Sequence, residues 1–323
     1  MKFGIIGTGK IAAKFIANAS LNPEFEAAAI LSRSRERGEA FAAGCGIPKV
    51  YTAIDEMAAD PSIEAVYIAS PNSAHYEQSI QMSAAGKHVF CEKAVASNSQ
   101  ELIAMIDTAE KNDKIFLEAM RPAFNPDLAR LKAIIADMGQ PRNALISACQ
   151  YSSRYDAFRS GEILNAFDPI LSNGAVMDMG SYSIFMLVAL FGEPQRIFCT
   201  DVKLHNGFDG FGAFIGVYPE MAAEVLYSKI NWSKAGSEIM FEDGSITISD
   251  IPGVSGIEIH RRGKPSEKLT ASGIPEYKEE AAMFIRCCQN PELAKPYHEL
   301  SLSVMRIIDE VKRQNGITFK GEG

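Results

Sequence analysis

Near the start of the chain, Gly7-Thr8-Gly9-Lys10-Ile11-Ala12 follows the short apolar run Lys2 to Ile6 and precedes a stretch, Lys10 to Ala19, of helical composition. A strand, a glycine-rich turn and a helix N-terminus together make a phosphate site. The glycines let the backbone approach a pyrophosphate, and the free N–H groups and dipole of the helix face its charge. Ala12 takes the third position of G-x-G-x-x-G/A, where a small side chain lets helix and strand pack closely. A purely geometric turn is the plainer reading of these glycines, so the motif depends on the rest of the chain. Further on, Glu92-Lys93 ends the apolar run His88 to Cys91. A lysine at a strand C-terminus beside a cofactor favours the alkoxide form of a substrate hydroxyl, and burial brings its own pKa toward working pH. The alternative is an exposed lysine paired with Glu92. Asp178 and Tyr182 are spaced i and i+4, which puts them on one face of a predicted helix, close enough to address one ligand. For Tyr182 the competing reading is an aromatic core position.

The elements that must position these residues alternate. Strands are predicted at Lys2 to Ile6, Glu26 to Leu31, Lys49 to Tyr51, Ala65 to Ala69, His88 to Cys91 and Ile115 to Leu117. Helices fall between them at Lys10 to Ala19, Ile54 to Met57, His75 to Ala84 and Gln100 to Asn112. Such alternation predicts a doubly wound parallel sheet, with ligands bound beyond the strand C-termini. Gly7-Thr8-Gly9, Ser32-Arg33, Ser70-Pro71-Asn72, Glu92-Lys93 and Glu118 all lie at those ends. After the second strand comes Ser32-Arg33-Ser34-Arg35-Glu36-Arg37, with no acid until Glu36. A carboxylate there would bind the 2′-OH of NAD(H), whereas basic and hydroxyl groups accommodate a 2′-phosphate. The expectation is NADP(H) rather than NAD(H), with Ser32 and Arg33 on the phosphate and Arg37 on the adenine. A solvated basic helix start is the alternative.

Beyond Pro122 and Pro126 the pattern changes. A helix is predicted at Asp127 to Asp137 and a strand at Asn143 to Ser152. Further strands are predicted at Arg196 to Lys203, Gly212 to Val217, Ala223 to Ile230, Glu238 to Phe241, Ile246 to Ile248, Ile257 to Arg261 and Ile317 to Phe319, with helices at Glu276 to Cys288 and His298 to Gln314. So few intervening helices imply a mostly antiparallel sheet, one face of which could meet a second subunit. The expected domains are residues 1–120, a Rossmann nucleotide-binding domain, and 121–323, an α+β domain for substrate binding and dimerisation.

A hydrophobic content of 47% and a charged content of 22% suit a globular protein. A net charge of −8 argues against general nucleic-acid binding. No apolar run is expected to span a membrane, and Phe3 to Ile6 is too short for a signal peptide. Cys45, Cys91, Cys149, Cys199, Cys287 and Cys288 lack C-x-x-C or C-x-x-H spacing, and His205, His260 and His298 lack ligand spacing, so no metal site is expected. Reduced thiols fit a cytoplasmic protein.

Ser70-Pro71-Asn72-Ser73-Ala74-His75 and Ala85-Gly86-Lys87-His88-Val89-Phe90-Cys91-Glu92-Lys93-Ala94, with the N-terminal glycine motif, closely resemble the Gfo/Idh/MocA oxidoreductase superfamily. Its marks are P-N-x-x-H and A-G-K-H-V-x-x-E-K-P. Glu118-Ala119-Met120-Arg121-Pro122-Ala123-Phe124-Asn125-Pro126 and Asp178-x-Gly180-x-Tyr182 resemble the dihydrodiol dehydrogenase and glucose–fructose oxidoreductase-like branch. The resemblance implies that Lys93 lies beside nicotinamide and the substrate oxygen, that His75, otherwise read as a helix-cap or core histidine, approaches the cofactor ribose, and that Tyr182 exchanges the substrate proton. Phenol has a reference pKa of about 10 and needs a nearby cation, which Lys93 would supply. Asp178 would orient substrate or tyrosine. Arg121 stands where many members carry tryptophan, as a contact for a polar or anionic group or as a plain surface residue. Ala94 replaces the motif proline, and alanine rarely holds the cis geometry open to an X–Pro bond. The function implied is hydride transfer between NADP(H) and a secondary alcohol or carbonyl of a sugar, polyol or cyclic diol. The alternatives are an NADP(H)-binding regulator and an enzyme that keeps its cofactor bound for sugar–sugar oxidoreduction or glycoside cleavage.

Overall fold

The structure is a computed structural model that describes residues 1–275 and 277–319. It divides into two compact units that interleave in the sequence: Met1–Arg121 with Ile274–Leu302, and Pro122–Gly273 with Ser303 onward.

In the first unit, β1 (Lys2–Ile6), β2 (Glu26–Leu31), β3 (Lys49–Tyr51), β4 (Ala65–Ile68), β5 (His88–Glu92) and β6 (Phe116–Ala119) form one parallel sheet in the order β3-β2-β1-β4-β5-β6. The crossovers are α1 (Lys10–Ala19), α2 (Arg35–Cys45), α3 (Ile54–Ala59), α4 (His75–Ala84) and α5 (Ser99–Lys111). The strand order reverses between β1 and β4, which is where ligands bind in such sheets. The β1 and β4 strands are apolar almost throughout because both faces of the sheet are covered. Under the sheet an aromatic core forms. Phe15 stacks on Tyr67 with centroids 3.6 Å apart, and Phe284 lies 4.8 Å from Phe90 and 5.7 Å from Phe3. Phe284 belongs to a later helix, Lys278–Gln289, which is why residues 274–302 group with this unit. The predicted start of that helix, Glu276, lies outside the described residues.

The second unit contains α6 (Pro126–Met138), β7 (Asn143–Cys149), α7 (Tyr155–Arg159), α8 (Ser181–Phe191) and the strands β8 (Arg196–Lys203), β9 (Asp209–Val217), β10 (Ala222–Ser228), β11 (Ser237–Phe241), β12 (Gly244–Asp250), β13 (Ser255–Arg261) and β14 (Glu267–Lys268). α9 (Lys278–Gln289) belongs to the first unit, and α10 (Lys295–Asn315) begins in the first and ends in the second. The sheet order is β14-β13-β12-β11-β7-β10-β9-β8, antiparallel except for the β7–β10 pair. A long excursion through α8 and two strands separates β7 from β10, which a parallel pairing requires. α8 packs on β7 and β10, and its residues Ser181 to Val188 are all buried.

Two sequence expectations are corrected here. Ile317 to Phe319 form no strand; Ile317 and Phe319 are buried as side chains, and Phe319 receives the Lys312 ammonium 4.6 Å from its ring centre. One stretch, Pro169–Phe191, is long and apolar enough by length and composition to cross a membrane, with a mean hydropathy of 1.6. It is mostly buried, and its C-terminal half is α8, which packs on β7 and β10.

Candidate active site

Gly7 follows β1 with φ of 113°, and a Cβ placed there would lie 2.5 Å from the Ala69 carbonyl oxygen at the end of β4. Only glycine lets these two strand ends approach so closely. At Gly9 a Cβ would meet nothing within 4 Å, leaving open space over the N-terminus of α1. That helix has no side-chain cap and no acid in its first turn, so its leading N–H groups and dipole suit a pyrophosphate. Thr8 is half-buried, and Lys10 and Ile11 are exposed at the same turn.

At the end of β2, Ser32 is buried and its hydroxyl donates to the Ser34 carbonyl at 2.9 Å. Ser34 in turn caps α2 by accepting from the Arg37 N–H. Ser32 therefore shapes the turn, while Arg33 and Arg37 stand exposed and form no ion pair among the described residues. At the end of β4, Ser70 donates its hydroxyl to Gln78 at 2.6 Å, and Pro71 and Asn72 open a short helical turn that leads into α4. His75, expected at the ribose, is fully buried. Its Nδ1 lies 2.9 Å from the Ala94 carbonyl and its Nε2 3.0 Å from the Ser70 carbonyl. Burial pushes its pKa down, against the carbonyls that favour the cation. The ring thus ties the loop after β4 to the loop after β5.

Lys93 follows β5 immediately, and the Lys93–Ala94 peptide is cis with alanine in the place of the motif proline. Glu92 accepts from the Tyr67 hydroxyl and from the Lys93 N–H. Burial pushes its carboxyl up, while Tyr67, Lys93 and Arg121 favour the anion. Glu118, on β6, is 7% exposed and accepts from Ser301 of α10. Burial raises its pKa to about 7; the Ser301 hydrogen bond and Lys93 oppose the shift, and Glu92 adds to it. Two carboxyl groups and one ammonium therefore share the end of β5 and β6. Arg121 sits with its guanidinium 5.8 Å from the Tyr277 ring centre.

In the second unit, Asp178 lies in a π-helical turn, Val176–Gly180, which runs straight into α8 and its first-turn residue Tyr182. Tyr182 is 6% exposed. The turn is anchored by Asp209, fully buried on β9, which accepts the Val176 N–H at 2.8 Å. Gly174 leaves room for that carboxylate, since a Cβ there would lie 1.9 Å from Asp209 Oδ1. Burial raises Asp209 to about 7. Asp178 itself is paired at 2.8 Å with Lys229, a buried lysine that no motif in the sequence singles out. Among the described residues no group of three or more His, Cys, Asp and Glu side chains could hold a metal ion.

Comparison with known proteins shows the family. Residues 1–120 match a family described as an oxidoreductase family with an NAD-binding Rossmann fold. Over its whole length the chain is 40% identical to the scyllo-inositol 2-dehydrogenase (NADP(+)) IolU of Bacillus subtilis, of which it covers 99%. The chain belongs to the Gfo/Idh/MocA oxidoreductase family. It is an NAD(P)-binding oxidoreductase, with a nicotinamide cofactor held in the Rossmann unit. Another relative, the D-xylose 1-dehydrogenase (NADP(+)) 2 of Haloferax volcanii, is 28% identical, with 96% of each chain covered. The solved structure of KijD10, a 3-ketoreductase from Actinomadura kijaniata in complex with NADP and TDP-benzene, superposes with a TM-score of 0.88 at 17% identity and 98% coverage of both chains. At that identity it supports the fold alone.

Proposed function

We propose that this oxidoreductase uses NADP(H) and acts on a secondary alcohol, or the corresponding ketone, of a polyol, cyclitol or sugar. The observation that carries the cofactor reading is the end of β2, where exposed Arg33 and Arg37 stand with no carboxylate before Glu36. Two guanidinium groups suit a 2′-phosphate and leave a 2′-hydroxyl without its usual acceptor. The naming of the relatives as NADP(+) dehydrogenases of scyllo-inositol and of D-xylose supports the same cofactor and a polyhydroxylated substrate.

When bound, the nicotinamide exchanges a hydride with the substrate carbon. The proposed roles of the chain's own residues are these. Gly7, Thr8, Gly9, Lys10 and Ile11 cradle the pyrophosphate, and Ser70, Pro71 and Asn72 line the same strand-end groove. Tyr182 takes the hydroxyl proton during oxidation and returns it during reduction. Lys93 stabilises the oxygen as it gains negative charge, and Asp178 accepts a hydrogen bond from a substrate hydroxyl. Glu92 sets the charge balance at Lys93, and Arg121 contacts a polar substrate group. We place a second copy of the chain on the outer face of the large sheet.

Two measurements test the reading. NADPH should bind more tightly than NADH, with Arg33→Ala narrowing the difference by about tenfold or more; tighter NADH binding would overturn it. With NADP⁺ and a panel of inositols, pentoses and cyclic diols, Tyr182→Phe and Lys93→Ala should each lower kcat by about 10² or more and leave NADPH binding near the parental value. Parental turnover in either variant would remove that residue from the reaction.

A further inference from the structure

Lys229 follows β10 and is 5% exposed. Its Nζ donates to the Ala166 carbonyl at 3.0 Å, lies 5.3 and 5.7 Å from the ring centres of Phe167 and Phe208, and meets Asp178 Oδ2 at 2.8 Å. Both rings are fully buried. The backbone is pinned too, by Lys229 N–H to the Gly210 carbonyl and Ser152 N–H to the Lys229 carbonyl, each at 2.9 Å. An ammonium buried in this way must be compensated by an anion. Asp178 supplies one at 2.8 Å, on a side chain that is itself 36% exposed.

We propose that Lys229 is a positioning residue that holds Asp178 by their ion pair as an oriented hydrogen-bond acceptor, so that the substrate group facing Asp178 is a donor hydroxyl. This rests on the reading that places Asp178 at the substrate. An ionised carboxylate only accepts hydrogen bonds, and a charged partner fixes which oxygen is committed inward. The other carboxyl groups of this neighbourhood are Asp209 on β9, anchored to Val176, and Asp201 on β8.

The test is a double-mutant cycle in the full chain, Lys229→Met with Asp178→Asn, read as kcat/KM, NADPH affinity and thermal midpoint. Each single variant should lower kcat/KM by about 10- to 100-fold at unchanged NADPH affinity, and the double variant should be little worse than either. Lys229→Met should also gain a fall in kcat/KM toward acidic pH, because Asp178 without the ammonium takes up a proton at higher pH. Lys229→Arg, which keeps the charge, should show no such fall. Additive losses, or a Lys229→Met enzyme with parental kcat/KM beside an impaired Asp178→Asn, would overturn the proposal alone. Parental kcat/KM in Asp178→Asn would overturn the underlying reading as well. Where Lys229→Met fails to fold, the midpoint of Asp178→Asn decides: it must fall, because Lys229 loses its counter-charge, and an unchanged midpoint would refute the pairing.

Discussion

Glu118 shows how a single carboxyl group in the nucleotide-binding unit couples stability to pH. It is nearly enclosed, faces Ser301, and is lifted from an ordinary value of 4.5 to about 7 by burial. A carboxyl whose folded-state pKa is raised favours folding when protonated. Its contribution is fully present below about pH 4.5 and is lost as pH rises through about 7. Glu118→Gln should therefore raise the unfolding free energy at pH 8, by at most about 3 kcal/mol, with a matching rise in thermal midpoint, and change both little at pH 4.5. A gain of equal size at both pH values would show that the charge is not the cause. At this scale the sequence was informative about residue type and strand end. It placed Lys93 beyond β5 and Arg33 beyond β2 because those positions follow from local pattern. It could not show that Ser32 turns its hydroxyl to Ser34 or that His75 spans two carbonyls, because burial depends on what packs from elsewhere.

Elements carry the next level of constraint. The β1–α1 turn depends on Gly7, where positive φ and the Ala69 carbonyl both exclude a side chain. Gly7→Ala should cost about 1–3 kcal/mol of stability and weaken NADPH binding. Urea unfolding and a fluorescence titration would check the two effects, and parental values in both would mean the strand ends need not approach so closely. In the second unit the i, i+4 spacing of Asp178 and Tyr182 is legible as a helix, but the π turn over Val176–Gly180 is not. At its start Asp209, from β9, takes the Val176 N–H. A turn anchored by a partner distant in sequence leaves no local periodicity to read. π turns of this kind are frequent at functional sites.

For the whole molecule, the large sheet presents Phe198, Val202 and Ile215 at 57%, 51% and 47% exposure, with Phe198 and Ile215 directly opposite each other across β8 and β9. An apolar pair on an outer sheet face is suited to burial against a second copy. A Phe198→Glu/Ile215→Glu variant should run as a monomer in light scattering while the parental chain runs as a dimer or larger; a parental monomer would remove the proposal. By itself the sequence determined the strand–turn–helix phosphate motif, the alternation that makes the first sheet parallel, the family and the candidate reacting residues. These depend on residues within a few positions of one another. Only the tertiary structure decided that residues 274–302 complete the nucleotide-binding unit, that the apolar Pro169–Phe191 stretch is a core element, and that Lys229 holds Asp178. Each of those rests on burial against partners far along the chain, and burial is a property of the packed molecule rather than of any local run of residues.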